Sequence, residues 1–461
     1  MKNISADILL DGLLSKKDLE PLNSIIINEV ITDSRKAGEN KLFVAIKGEN
    51  VDGHNFAKKA LDNGVSLVLL QHKVDSVDMD KTVLSYDPLD AMILMGGNYR
   101  KQFNPCVVGI TGSVGKTTTK EFCSAIFSEF GNTIKTIGNQ NNEIGMPNTL
   151  FTINDDTKYA IIEMGMQGLG EISKLTNAAK PNVAIITNIG TAHLEHLKTK
   201  QNICKAKMEI CEGLQDDGIL VVNGDDEFLA YVDAPNNVIK YSCAIKNKNA
   251  DVIATDIVIK DNKQFFTIVD KLYGEFKANI PIIGEHNILN VLLAYTSATR
   301  LGLEPTKVIS SFNNYQTVGY RQNFVYKKDI TIIEDCYNAN YDSMVASIKM
   351  LDDVKKGNRK IAVLGDMLEL GVNSSKLHYK VGEACAFHDI DIVFALGNET
   401  TQLVKGASDR GVGYVEHFTN KENCLNALIS VVQKDDVILF KASRGIKLED
   451  IMEGFYKSLE N

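Results

Sequence analysis

Apolar residues along this chain fall into short β-branched runs separated by stretches of helical periodicity. That alternation is the pattern of parallel-sheet α/β units, in which a buried strand is followed by a covering helix. In the first part of the chain, strands are predicted at 25–27, 42–46 and 67–70. A helix-like piece over 55–63 is closed by Gly64, the residue type expected just past a helix end. After Phe103-Asn104-Pro105 the pattern restarts with a strand at 106–110, a glycine-rich turn and a helix from about Lys116. Further strands follow at 159–162, 183–186 and 219–222. Past the stretch 310–315 it restarts again, with strands at 330–333, 361–364, 390–396 and 437–440. The fold class read from this is α/β with three domains, 1–103, 104–317 and 318–461. The middle one has a mostly parallel sheet. No internal repeat or low-complexity linker interrupts them.

A length of 461 residues agrees with that division, since domains average about 150 residues. Lys and Arg total 50 against 59 Asp and Glu, a formal charge of −9. This argues against a non-specific nucleic-acid binder while leaving room for a locally positive site. No apolar run reaches the roughly 18 residues of a membrane helix. The first segment is broken by Asp7 and Asp11 and has no small-residue cleavage site. The expectation is a cytoplasmic chain with no nucleic acid and no membrane insertion. The eight cysteines form no C-x-x-C pair, so buried thiols are expected rather than a disulfide framework or zinc site.

The chemistry begins at GITGSVGKTTTKEF, between a strand and a helix. Small residues let backbone N–H groups approach an anion closely, and the helix N-terminus adds positive potential. Gly112, Ser113, Val114, Gly115, Lys116, Thr117 and Thr118 are therefore candidate nucleotide-phosphate contacts. Lys116 can reach terminal phosphates and Thr117 can ligate Mg²⁺. The spacing departs from G-x-x-x-x-G-K-[ST], because Ile110 stands at the first glycine position. A plain glycine turn entering a helix is the bland alternative, and the motif alone names no reaction.

Ligands of open parallel sheets sit at the carboxyl ends of strands. Glu163 ends one strand, and TNIGTAHLEH brings Asn188 and His193 to the same edge. Glu163 and His193 suit a divalent cation beside a triphosphate; each alone would equally be a solvated or structural residue. In KQNICKAKMEICEGL one helical stripe carries Ile203, Ala206, Ile210, Cys211 and Leu214. Lys207 falls inside that stripe and Lys205 opposite it. An inward lysine tends to lose its charge or find a function. As a neutral amine it can add CO₂ and become an oxygen ligand; as an ammonium it can snorkel to solvent or to Glu163. Asn287 and Asn290 share a helix face, where two amides can read a purine edge or serve in helix capping.

TGSVGKTTTK, TIGNQNNEIGMP, EMGMQGLGEI, TNIGTAHLEHL, KAKMEI, GEHNILN, DCYNANYDSM and LGDMLELG occur in an order that resembles the Mur ligases. The N-terminal TDSRKAGENKLFVAIKGENVDGHNFAKKAL adds to the likeness, which covers nearly the whole chain. It implies a domain for a UDP-sugar peptide, a central P-loop ATPase domain and a Rossmann-like C-terminal domain. ATP would phosphorylate a peptide carboxylate, and an amine would displace phosphate. The branch these motifs most resemble implies UDP-N-acetylmuramoyl-tripeptide and D-alanyl-D-alanine as partners, two Mg²⁺ ions, and a monomer. The likeness makes Lys116, His193 and Lys207 catalytic; Thr117, Glu163, His193 and a carbamylated Lys207 would hold metal. Asn287, Asn290, Arg321 and Asp335 would contact the nucleotide, the last two when the domains close. Asn338 and Asn340 would lie near ATP and the dipeptide. Ser34 and Arg35 would contact the uridine nucleotide, and Asn139, Asn141 and Asn142 the muramoyl peptide. Tyr341 stands where relatives usually carry proline. No D-N-P-R motif of the diamino-acid ligases is present, folate relatives lack GNQNNEIG and LGDMLELG, and a silent scaffold or nucleotide switch would not need the set Lys116, Glu163, His193 and Lys207.

Overall fold

The computed structural model describes residues 1–261, 263–354 and 358–460. Three sheets define three α/β domains. The first sheet has four parallel strands in chain order, Glu29–Ile31, Lys41–Val44, Leu67–Leu70 and Thr82–Leu84. Ile26–Ile27, expected as a strand of this kind, instead pairs antiparallel with Ile4–Ser5. The expected helix over 55–63 starts as a 3₁₀ turn, Gly53–Phe56, and is α-helical over Ala57–Asp62. Gly64 follows at φ +91°, the left-handed conformation that favours glycine.

The central sheet has nine strands. Its parallel part runs Ile239–Ala244, Ile219–Asn223, Val183–Ile186, Cys106–Thr111, Tyr159–Glu163, Thr133–Lys135. Val252–Lys260, parallel to its neighbour, then opens an antiparallel extension with Lys263–Asp270 and Gly274–Ile280. The six-stranded C-terminal sheet is parallel except for the edge strand Asn323–Lys327. Strands covered by helices on both faces read as unbroken apolar runs, and Val183–Ile186 is buried throughout.

Register decides where the chemistry lies. Ile186 pairs with Thr111, and Ile110 with Glu163, so three strands end together where the glycine-rich turn begins. Helices Lys116–Ser128 and Glu285–Arg300 cover one face of this sheet. The other face shares one continuous apolar core with the first domain. Helix Pro88–Arg100 makes that junction close: a Cβ on Gly96 would lie 3.1 Å from Pro147, and one on Gly97 3.2 Å from Ala178. The C-terminal sheet has a separate core on each face, and Leu194 and Ile283 of the central domain reach into one of them. All eight cysteines are free and seven are buried. Burial pushes the Cys123 thiol up to about 12, consistent with inert core thiols. Among the described residues no helix is long and apolar enough to cross a membrane.

Candidate functional site

The turn after strand Cys106–Thr111 is held from several sides. Gly115 takes φ +85°, a conformation that favours glycine, and a Cβ there would come within 2.4 Å of Asn290 Oδ1, so a larger residue would be strained and would displace Asn290. The N–H groups of Ser113 and Val114 donate to Asn188 Oδ1 at 3.1 and 2.9 Å. Ser113 Oγ accepts the Gly190 N–H at 2.9 Å. The segment following the neighbouring strand thus props the loop. Lys116 opens the helix and folds back so that Nζ donates to the Gly112 carbonyl at 2.7 Å. Burial pushes this lysine below its ordinary range, with the Arg321 charge adding and Glu163 opposing. First-turn N–H groups have no partner within their own helix, so Lys116, Thr117 and Thr118 present an anion site.

Glu163, at the end of its strand, is almost fully buried. Thr117 Oγ1 donates to its Oε2 at 3.0 Å and Asn141 Nδ2 to its Oε1 at 2.8 Å. Asn142, by contrast, accepts the Gly145 N–H at the start of the next helix. Lys120 was not singled out in the sequence. It is fully buried one helical turn beyond Lys116, with Nζ 3.2 Å from Glu121 and 3.8 Å from Glu163. The inward-lysine argument applied to Lys207 would have found it.

Lys207 is 1% exposed. Among the described residues its Nζ has no hydrogen-bond or ion-pair partner, and burial, reinforced by the Lys116 charge, pushes it well below the usual lysine range. Ile203, Ala206, Ile210 and Cys211 are buried around that stripe, and Lys205 is exposed. Leu214 is only half-buried because the α-helix Lys200–Met208 gives way to a 3₁₀ segment, Glu209–Gly213. His193 takes a left-handed backbone, φ +62°, and its Nδ1 lies 3.0 Å from Glu369 Oε2.

The opposite wall comes from the helix Glu285–Arg300 and the C-terminal domain. Asn287 is the third residue of that helix, whose cap is Gly284, so capping is not its role. Its Nδ2 donates to the Ile283 carbonyl and to Gln322 Oε1, both at 2.7 Å. Asn290 Oδ1 accepts from Thr119 Oγ1 at 3.3 Å. Burial pushes His286 below its ordinary value, and its Nε2 accepts from Gln322 Nε2 at 2.6 Å. The Arg321 guanidinium stacks over the Tyr337 ring at 3.9 Å. Asp335 accepts from Lys441 Nζ at 2.7 Å and Ser347 Oγ at 2.6 Å. Asn340 caps helix Tyr341–Asp353 in a reciprocal pair with Ser343, and Tyr341 fills the first helical position, where a proline is also tolerated.

These walls enclose one cleft of about 570 Å³. Ser113, Val114, Gly115, Lys116, Thr117, Thr118, Asn139, Asn141, Asn142, Glu163, His193, Asn287, Asn290, Arg321, Asp335, Asn338 and Asn340 all line it. Gly112 and Lys207 do not, nor do Ser34 and Arg35 on the first domain. Arg35 is exposed and clasps Asp33 through Nε and Nη2, which holds the Asp33 carboxyl down at about 2. His286, Gln322, Tyr337 and Lys441 join the cleft without having been predicted. Their roles depend on contacts between distant segments, which no local pattern carries.

The donor set suits a hard cation. Thr117 and Glu163 offer oxygen ligands beside the phosphate loop. Among the described residues no three His, Cys, Asp or Glu groups form a metal cage of their own. A magnesium ion there would complete its shell with phosphate oxygens and water, as this ion commonly does.

Family models match along the chain: the Mur ligase family catalytic domain over 26–130, the Mur ligase middle domain over 110–298, and the glutamate ligase domain over 320–444. The UDP-N-acetylmuramoyl-tripeptide–D-alanyl-D-alanine ligase of Bacillus subtilis is 35% identical, covering 99% of this chain and 98% of that protein. The Escherichia coli ligase of the same name is 32% identical over 98% of this chain and 97% of its own. A crystal structure of MurF from Acinetobacter baumannii superposes with a TM-score of 0.90 at 30% identity, covering both chains fully. MurF from Thermotoga maritima in complex with ADP gives 0.85 at 28% identity, over 94% of this chain and 98% of that one. The chain belongs to the Mur ligase family.

Proposed function

We propose that this protein is an ATP-dependent ligase joining D-alanyl-D-alanine to UDP-N-acetylmuramoyl-tripeptide, a step of peptidoglycan precursor synthesis in the cytoplasm, and that it acts as a monomer with domains bounded near residues 103 and 317. The observation that carries the reading is the shared cleft in which Lys116, Thr117 and Glu163 of the central domain face Arg321 and Asp335 of the C-terminal domain. Full-length likeness to ligases of that name supports the substrates.

A carboxylate is a poor electrophile, and converting it to an acyl phosphate supplies a good leaving group. The tripeptide carboxylate attacks the γ-phosphorus of ATP and ADP departs. The dipeptide amine then adds to the acyl carbon, loses a proton and expels inorganic phosphate. Lys116 and the first-turn N–H groups hold the terminal phosphates, and Arg321 adds positive charge from the other wall. Thr117, Glu163, His193 and Lys207 would hold two magnesium ions, which supply neutralisation of phosphate charge when bound. Lys207, enclosed and with its ammonium disfavoured, adds CO₂ through its neutral amine; a proton leaves, and the resulting carbamate offers oxygen ligands. Asn287 and Asn290 border the base, Asn338 and Asn340 the dipeptide, and Asn139, Asn141 and Asn142 the muramoyl peptide. Ser34 and Arg35 would take the uridine nucleotide on the first domain.

Phosphate release tests this directly. Rapid release is expected only when ATP, UDP-muramoyl-tripeptide and D-alanyl-D-alanine are present together, and Lys116→Ala should abolish it. Equal release from ATP alone would identify a nucleotide switch instead.

A further inference from the structure

The segment TNIGTAHLEHL is completed by residues that do not belong to its own domain. Asp342 Oδ2 accepts from Thr191 N–H at 2.6 Å and from Thr191 Oγ1 at 2.9 Å. Glu369 Oε2 lies 3.0 Å from His193 Nδ1, and the Glu369 carbonyl accepts the Glu195 N–H at 3.3 Å. Leu194 packs into a core of the C-terminal domain. Gly371 leaves room for Glu195, since a Cβ there would already stand 3.3 Å from its side chain.

His193 and Glu369 are both non-glycine residues at positive φ, +62° and +61°. Such backbone is strained and persists where surrounding contacts impose it. Here the imposed contact joins the two strained residues to each other. Glu369 lies in LGDMLELG, a segment to which the phosphoryl-transfer scheme assigns no residue.

We propose that Glu369 is a positioning residue for His193, placing this imidazole for the cleft only when the central and C-terminal domains are together. A carboxylate oxygen accepts, so Nδ1 carries the hydrogen of this contact and Nε2 is the ring nitrogen left for a ligand, on a residue that lines the cleft. A carboxylate behind a histidine fixes its tautomer and ring orientation and raises its strength as a ligand. Domain closure and completion of the cation site then become one event. This rests on the reading of His193 as a magnesium ligand.

The test compares Glu369→Ala, Glu369→Gln, His193→Ala and the Glu369→Ala/His193→Ala double variant with the wild-type protein. The magnesium concentration for half-maximal ligation should rise about tenfold or more in Glu369→Ala, with the KM for ATP little changed. Glu369→Gln, whose amide oxygen can still accept from Nδ1, should stay close to wild type. In the His193→Ala background, Glu369→Ala should add no further loss, because Glu369 acts through that ring. A wild-type magnesium requirement in Glu369→Ala, or an additive loss in the double variant, would overturn the proposal. Hydrogen exchange of residues 190–198 in ligand-free protein gives a second readout, independent of ligation. Faster exchange is expected in Glu369→Ala, and unchanged exchange would overturn it. Failure of the wild-type protein to ligate would instead count against the proposed function.

Discussion

Lys207 shows how much the placement of a single residue can say. An ammonium buried on the same helical stripe as Ile203, Ala206 and Ile210 costs several kcal/mol unless paired, so the neutral amine is favoured. Removing the side chain should remove the oxygen ligand its carbamate provides. Lys207→Ala is expected to lose about 100-fold or more in ligation, a ligand-shell effect, and to recover partly with added formate or acetate. No recovery in steady-state assays would leave an ordinary buried lysine as the better description. The stripe containing Lys207 was legible because helical periodicity is local. Lys120 was equally legible by that argument, yet the phosphate-loop pattern drew the reading to its neighbours. Gln322 and Lys441 were not legible: their partners Asn287 and Asp335 lie far away in the chain, and only tertiary packing brings them together.

Among the elements, the fully buried parallel strands, such as Val183–Ile186, were read close to their observed bounds, because burial on both faces leaves an uninterrupted apolar run, whereas the partly buried parallel strands Thr82–Leu84, Ile239–Ala244 and Tyr414–Phe418 were not read. Val252–Lys260 and Gly274–Ile280 escaped because most of their residues are exposed or half-buried and polar residues interrupt each run; Lys263–Asp270, though mostly buried, is interrupted by the polar Gln264 and Thr267. The short Glu29–Ile31 and Thr133–Lys135 carry too few residues to show a period. This antiparallel extension is anchored by a buried pair. Arg300 Nη1 and Nη2 donate to Asp270 at 2.9 and 2.8 Å, and the guanidinium stacks near Tyr241 and Tyr273. Leaving one buried charge without its partner typically costs about 3–5 kcal/mol. Asp270→Ala should lower the free energy of unfolding of the central domain by that order in urea titrations. A loss under about 1 kcal/mol, within the usual range for surface changes, would show that the pair does not anchor the extension.

At the scale of the whole molecule, the three sheets are not equally independent. The first domain and one face of the central sheet share a core, whereas the C-terminal domain has cores of its own on either side of its sheet, one of them entered by Leu194 and Ile283 of the central domain. The C-terminal domain's contribution to the cleft arrives through Arg321, Asp335 and Lys441, and through the two carboxylates that hold the His193 segment. The order of domains and the phosphate loop were readable from pattern and motif. Which domains share a core was not, because the glycines that allow helix Pro88–Arg100 to approach are meaningful only against Pro147 and Ala178.

The central chemical claim is that the γ-phosphoryl of ATP passes to the peptide carboxylate before the amine attacks. Ligation with UDP-muramoyl-tripeptide carrying ¹⁸O in the terminal carboxylate follows that oxygen by mass spectrometry. An acyl-phosphate route predicts that each released inorganic phosphate carries one oxygen from the peptide; phosphate free of label, formed alongside ligated product, would contradict it.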